Sequence, residues 1–290
     1  AIHSYKWAQT QNPKGVVQII QGLNEHGERY DALSQALNKA GYIVYTHDGI
    51  GQGKSQNPNM DTVVFGQKGY QDLVNAIYAI RKRISVEQKG LPVYAIGHSL
   101  GALLLRYVLI EDLVEYHKVV FSATGLSSLK GIKLSILITD FLMLFGSKKP
   151  SNFFDKEMHK RQLRLANYVE LNHFIEYLTR DEIQNELDKK DPYLFQRLSV
   201  IGYHELFKLI QFVNTEKNIK ETHPAVKVLM LSGTHDPMTN FSLETKDLCE
   251  LFYRIGIYSK VITYEQARHN LFDETNKEQV FQDVIDFLKS

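Results

Sequence analysis

"VYAIGHSLGALLLRYVLI", residues 93–110, places a short apolar run, the pentapeptide Gly97-His98-Ser99-Leu100-Gly101 and a long apolar helix-like segment one after another without a break. Gly-x-Ser-x-Gly occurs by chance in many chains, but between a strand and a helix it has a mechanical meaning. A serine on a sharp strand-to-helix turn projects its hydroxyl above the sheet edge. Glycines at 97 and 101 leave room where backbones crowd the turn, and the helix N-terminus adds N–H groups and a positive dipole end. Ser99 is therefore the candidate nucleophile, and Gly97, His98 and Gly101 form the turn that presents it.

Working outward from this stretch, β-branched and aromatic runs at 16–20, 43–46, 93–96, 119–121, 228–231 and 261–264 read as buried strands. Longer helix-like segments at 30–40, 65–85, 100–110, 242–255 and 274–289 alternate with most of them. That alternation predicts an α/β fold, a mostly parallel sheet with helices on both faces. Residues 127–215 break the rhythm, since they carry helical patterns and no convincing strand. They read as a helical cap inserted into a core made of 1–126 and 216–290. Within the insertion, Leu134, Leu137, Ile138, Phe141, Leu142 and Phe145 recur at the spacing of one helix face. That face either lines a site for an acyl chain or packs the cap on the core.

Serine is a weak nucleophile until a base takes its proton and an acid orients the base. "KVLMLSGTHDPM" (227–238) runs from a strand into Asp236, and "KVITYEQARHNLFDE" (260–274) runs from the last strand into His269. The order serine, acid, histidine, each beyond the carboxyl end of a strand, makes Asp236 and His269 the candidate partners. His235 and His223 compete for the base, but neither follows the last strand. Acyl chemistry also needs donors for a developing oxyanion, one from the residue after the serine and one from an earlier strand's loop. Leu100 N–H is the first, and Leu23 N–H, in "VVQIIQGLNEHGERY" (16–30), is the second.

The 290 residues carry a formal net charge of +1, which gives no general attraction to nucleic acid. Cys249 is the single cysteine, so neither an internal disulfide nor a cysteine metal cluster can form, and a buried packing role in a reducing compartment is expected. The opening residues lack the charged start and apolar stretch of a secretory signal, and a cytoplasmic location follows as the expectation. "LSILITDFLMLF" (134–145) is too short for a membrane-spanning helix and contains Asp140. "HDGIGQGKS" (47–55) ends like a phosphate-binding loop, but the first glycine of that motif is Asp48 here. No cofactor or metal is expected.

With these residues in view, the sequence resembles the monoacylglycerol lipase and bacterial lysophospholipase branch of the α/β hydrolases over nearly its whole length. "QGLNEHGERY" is similar to that branch's HGxxEHxxRY loop and "HDGIGQGKS" to its HDxxGxGxS loop. "GHSLG", "SGTHDP" and "ARHNLFDE" follow in order, and "IEYLTRDEIQNELDKKDPYLF" (175–195) resembles its "LSRDE…DP" stretch. The resemblance implies the α/β-hydrolase fold with an inserted helical cap, and serine hydrolysis of acyl esters with glycerol-type or lysophospholipid leaving groups. It also implies that the glycines of 47–55 serve tight turning rather than phosphate contact. One departure stands out: the usual His-Gly of the oxyanion loop is Gln21-Gly22. Small-ester hydrolysis, acyl transfer to an alcohol or thiol, and ligand binding without catalysis remain as alternatives. An aspartate-nucleophile mechanism is disfavoured by Ser99 itself. Lys130, Lys133, Lys148 and Lys149 flank the apolar helix, which leaves a transient membrane-surface contact open beside a solvated basic rim.

Overall fold

The computed structural model describes residues 2–56, 62–171 and 173–290. Its strands are β1 (Ser4–Trp7), β2 (Gly15–Ile20), β3 (Tyr42–His47), β4 (Thr62–Val63), β5 (Val93–His98), β6 (Lys118–Ser122), β7 (Arg197–Leu198), β8 (Lys227–Gly233) and β9 (Ser259–Tyr264). Its α-helices are α1 (Asp31–Lys39), α2 (Tyr70–Glu87), α3 (Leu100–Ile110), α4 (Leu129–Met143), α5 (Asn152–Leu163), α6 (Glu182–Lys190), α7 (Val200–Asn214), α8 (Glu216–Ile219), α9 (Leu243–Arg254) and α10 (Lys277–Lys289). Seven strands form one sheet in the order β1-β3-β2-β5-β6-β8-β9. All neighbours run parallel except β1, which lies antiparallel on β3.

All six apolar runs of the sequence enter this sheet, because a parallel sheet covered on both faces buries alternate residues on opposite sides. Val16, Tyr45, Val93, Phe121 and Met230 face a core shared with α2, α3 and α9. Val17, Val44, Ile96, Val120 and Leu229 face the other way, onto α1 and α10. Strand β1 was not anticipated. Its residues are half-buried or exposed, as an edge strand's are, so it carries no apolar run, and it is fastened by the Trp7 indole N–H donating to Asp31 Oδ1 at 2.8 Å. Helix α2 starts at Tyr70 rather than near 65, since Gly66 and Gly69 take positive φ and break the helix before it begins.

Between β6 and β8 lie α4 to α8, and we propose that 127–215 form a cap on a core of 1–126 and 216–290. Two expectations for this region need correction. It does contain a strand: β7 pairs in parallel with β4 over two residues, too short to leave a sequence pattern. And the apolar stripe of α4 neither lines a site nor packs on the core as one face. Leu134, Leu137, Phe141 and Phe145 are 59%, 66%, 59% and 66% exposed, while Ile138 and Leu142, with Ile132 and Ile136, pack inward. Arg106 of α3 is buried, donating to Gly125 O after β6 (3.0 Å) and, in α7, to Val213 O (2.6 Å) and Asn214 Oδ1 (2.9 Å). Burial pushes its guanidinium down to about 9.

Candidate active site

The sheet's carboxyl edge gathers the three residues that the sequence singled out. Ser99 sits between β5 and α3 with φ of +51°, a left-handed turn that a residue with a Cβ adopts only where neighbours enforce it. Here the enforcement is Ser99 N–H donating to Ser122 O at 2.9 Å, together with two glycines that permit close approach. A Cβ at Gly97 would lie 2.6 Å from Gly101 O, and one at Gly101 only 2.1 Å from Ile20 O. Ser99 Oγ lies 3.1 Å from His269 Nε2, and His269 Nδ1 lies 3.0 Å from Asp236 Oδ2. Because the carboxylate only accepts, Nδ1 carries the proton and Nε2 is left to accept from the serine hydroxyl.

Asp236 is fully buried and also accepts from Met238 N–H (2.8 Å) and Thr239 Oγ (3.1 Å). Burial pushes its carboxyl up, but the His269 ring and these hydrogen bonds outweigh burial and hold it below its ordinary value. The His269 loop is fixed from the region between β6 and β8: His269 N–H donates to Tyr177 O (3.1 Å) and Asn270 N–H to Leu178 O (2.7 Å). Of the competing histidines, His235 packs its ring 5.7 Å from that of Tyr168, and the His223 ring accepts from Ala225 N–H. Neither makes a hydrogen bond to Ser99 or Asp236.

The residue before the serine has a larger part than the sequence suggested. His98 is buried, and its pKa is pushed down to about 4, chiefly by that burial, so it is neutral at pH 7. Its Nε2–H donates to Asn270 Oδ1 (2.9 Å), and its Nδ1 accepts from Ser122 Oγ (3.1 Å). Asn270 Nδ2 in turn donates to Glu25 Oε1 at 3.2 Å. Glu25 accepts Gly22 N–H (2.8 Å) and Tyr30 O–H (2.7 Å) on its other oxygen. The chain thus ties the serine turn, the His269 loop and the Gly22–Glu25 turn together. Glu25 and Asn270 were present in the quoted motifs, but their contact joins residues 245 positions apart and left no local signal.

Gln21, where the resembled branch has histidine, donates from Nε2 to Glu25 O at 2.6 Å, so a hydrogen bond holds the turn after β2. Asn24 N–H donates to Gln52 Oε1 (2.6 Å) and Asn24 Nδ2 to Gln196 O (2.7 Å). Among the described residues, the N–H groups of Leu23 and Leu100 have no acceptor within the chain, and both residues line the cavity that Ser99 opens into. The 47–55 loop also has a role. Asp48 accepts Gly27 N–H (2.7 Å) and Lys54 N–H (2.7 Å) on its two oxygens, while Gly51 and Gly53 take positive φ. It braces the neighbouring loop, and the side chain that replaces the phosphate-loop glycine is the brace. Cys249 is buried in α9. Among the described residues no three His, Cys, Asp or Glu side chains gather as metal ligands.

The cavity measures about 440 Å³, in the range of small-molecule sites. Leu103, Ile132, Met158, Leu206, Phe207 and Ile210 line it, and so do the polar side chains of Arg161, Gln162 and Glu244.

A mostly parallel sheet with a serine, histidine and buried aspartate gathered at its carboxyl edge is the architecture of an α/β hydrolase. The chain belongs to the Hydrolase_4 family, described as serine aminopeptidase, S33, whose model it matches over residues 11–276. It is 23% identical over 293 residues to a monoglyceride lipase homolog of Monkeypox virus, covering 98% of this chain and 92% of that one. To the phospholipase YtpA of Bacillus subtilis it is 26% identical over 274 residues, covering 93% of each. Its fold matches a thermostable carboxyl esterase from Bacillus coagulans solved with glycerol at a TM-score of 0.90, with 16% identity over 99% of this chain and 93% of that one.

Proposed function

We propose that the protein hydrolyses carboxylic acyl esters, with monoacylglycerol or lysophospholipid as the substrate, through Ser99, His269 and Asp236. One observation carries the reading: the hydrogen-bonded line Ser99–His269–Asp236 ends in a cavity lined by both apolar and polar side chains, beside two N–H groups with no acceptor among the described residues. An aliphatic tail gains roughly 0.8 kcal/mol per buried CH₂ against its apolar residues, and a neutral polyol or zwitterionic head suits its polar ones. The names of the Monkeypox virus and Bacillus subtilis relatives, a monoglyceride lipase homolog and a phospholipase, support the choice.

His269 Nε2 takes the Ser99 proton as Oγ attacks the ester carbonyl carbon, and the carbonyl oxygen, now anionic, meets the Leu23 and Leu100 N–H groups. The bond to the alcohol oxygen breaks, and the imidazolium gives that oxygen the proton. Water enters, His269 takes its proton, hydroxide oxygen attacks the acyl-enzyme, and the proton returns to Ser99 as the fatty acid leaves. Asp236 keeps the ring in the required tautomer and balances its transient charge.

The exposed apolar face of α4, beside Lys130 and Lys133, supports a transient contact with a lipid surface that delivers substrate. Among the described residues no helix is long and apolar enough to cross a membrane. The single cysteine, Cys249, buried in α9, supports a cytoplasmic site of action.

The test is release of fatty acid from monoacylglycerol, lysophosphatidylcholine and a short p-nitrophenyl ester side by side, with Ser99→Ala as the blank. Hydrolysis of a long-chain substrate that vanishes in the variant is expected and chooses the head group. Turnover of the short ester alone would move the assignment to a small-ester carboxylesterase, and silence on all three to acyl transfer or ligand binding.

A further inference from the structure

The segment that carries the proposed acid is strained. After Asp236 a 3-10 turn (Pro237–Thr239) leads into Asn240, Phe241 and Ser242, three consecutive non-glycine residues with φ of +52°, +58° and +69°. A Cβ makes the left-handed region unfavourable, so a run of three persists only where contacts over-determine it. Within the core, Phe241 N–H donates to Asp236 O (2.8 Å) and Ser242 Oγ to Gly233 O (2.7 Å). Thr239 Oγ1 also accepts from Ser242 N–H (3.3 Å), and further contacts come from α5 and the turn after it. Arg161 donates from Nη2 to Met238 O (2.7 Å) and from Nε to Pro237 O (3.3 Å), and it pairs with Glu244 at 3.1 Å. Arg164 donates to Asn240 Oδ1 (2.8 Å) and lies 5.3 Å over the Phe241 ring, against which Tyr168 packs at 4.5 Å.

The geometry points to Arg161 as a positioning residue for Asp236. It holds the carbonyls of Pro237 and Met238, and Met238 N–H is itself a donor to the Asp236 carboxylate, so the guanidinium fixes the peptide units on which the acid rests. Its second partner, Glu244, is half-buried, accepts from Ser127 Oγ and lines the same cavity. The consequence is that the Asp236–His269 hydrogen bond is complete only while α5 is seated on the core. This inference rests on the ester-hydrolase reading for its kinetic part and on geometry for the rest.

The experiment compares wild type with Arg161→Lys and Arg161→Ala on a short p-nitrophenyl ester, with added guanidinium. It also records the low-field NMR resonance of the His269 Nδ1 proton shared with Asp236. Arg161→Ala is expected to lower kcat at least tenfold with KM within threefold, to weaken the resonance, and to recover part of both in guanidinium. Arg161→Lys, which keeps the charge beside Glu244 but cannot reach both carbonyls, falls between. Wild-type kcat and an unchanged resonance in Arg161→Ala, even with a lowered melting temperature, would overturn the inference. A wild type that hydrolyses no ester would sink the hydrolase reading alone, since the resonance still decides what Arg161 does. If Arg161→Ala does not fold, Arg161→Lys carries the same comparison.

Discussion

Helices α3 and α4 are written in much the same apolar alphabet, LGALLLRYVLI against LKGIKLSILITDFLM, and meet opposite fates. Ten of α3's eleven residues are buried, whereas in α4 only Thr139 is. The reason is position. Helix α3 leaves β5 in the middle of the sheet, where α2, α7 and the sheet itself cover every side of it. Helix α4 follows β6 out to the rim, meets α7 along one face, with Thr139 Oγ1 and His204 Nδ1 3.0 Å apart, and finds solvent on the other. An apolar pattern therefore specifies a helix but not what covers it, and apolar surface left uncovered on a stable fold is available to something outside the chain.

The contrast can be tested at its sharpest point first. Ser99→Ala, at the start of α3, should lower turnover on the order of a million-fold, following the precedent of cooperative triads, while leaving the fold intact by circular dichroism. Leu105→Ala in α3 should cost roughly 2–5 kcal/mol in urea unfolding, whereas Leu137→Ala in α4 should fall within about 0.5 kcal/mol. Equal costs would erase the distinction between the two helices. Acid should weaken the core through His47 and His98, both buried, with burial the leading cause that pushes each down to about 4. The unfolded chain binds those protons first, so stability is fully present above about pH 6.5 and is lost as pH falls toward 4, by about 1.4 kcal/mol per pH unit for each group. Melting temperatures across that window check it, and His98→Asn should shallow the slope. The smallest effect is expected outside the core: Leu137→Ser with Phe141→Ser should lower the ratio of vesicle-borne long-chain turnover to short-ester turnover at least fivefold. An unchanged ratio would remove the lipid-surface contact.

Much of the core was legible because its physics is local. A strand buried on both faces must be apolar at consecutive positions, so β2, β3, β5, β6, β8 and β9 announced themselves. The meeting of Ser99, Asp236 and His269 in the candidate site was legible because each follows a strand of the one sheet and so reaches its carboxyl edge. Strand β1 was not legible, since an edge strand with one face wet needs no apolar run. Nor was the part played by His98 and Asn270, whose hydrogen bond joins residues 172 apart. The outcome for α4 was illegible for the same reason: its spacing gave the helix, but burial depended on α7, more than fifty residues later.

The oxyanion loop carries a further consequence. Leu23 lies between Gly22, held by Glu25, and Asn24, held by Gln52 and by the Gln196 carbonyl. These anchors are made by the protein's own groups before any ester arrives. If Leu23 N–H meets the nascent alkoxide as proposed, its dipole is held in place beforehand, and little reorganisation would accompany the appearance of charge. In water the solvent would have to turn toward that charge at each event; a donor anchored in this way would have its response set once, when the chain folds.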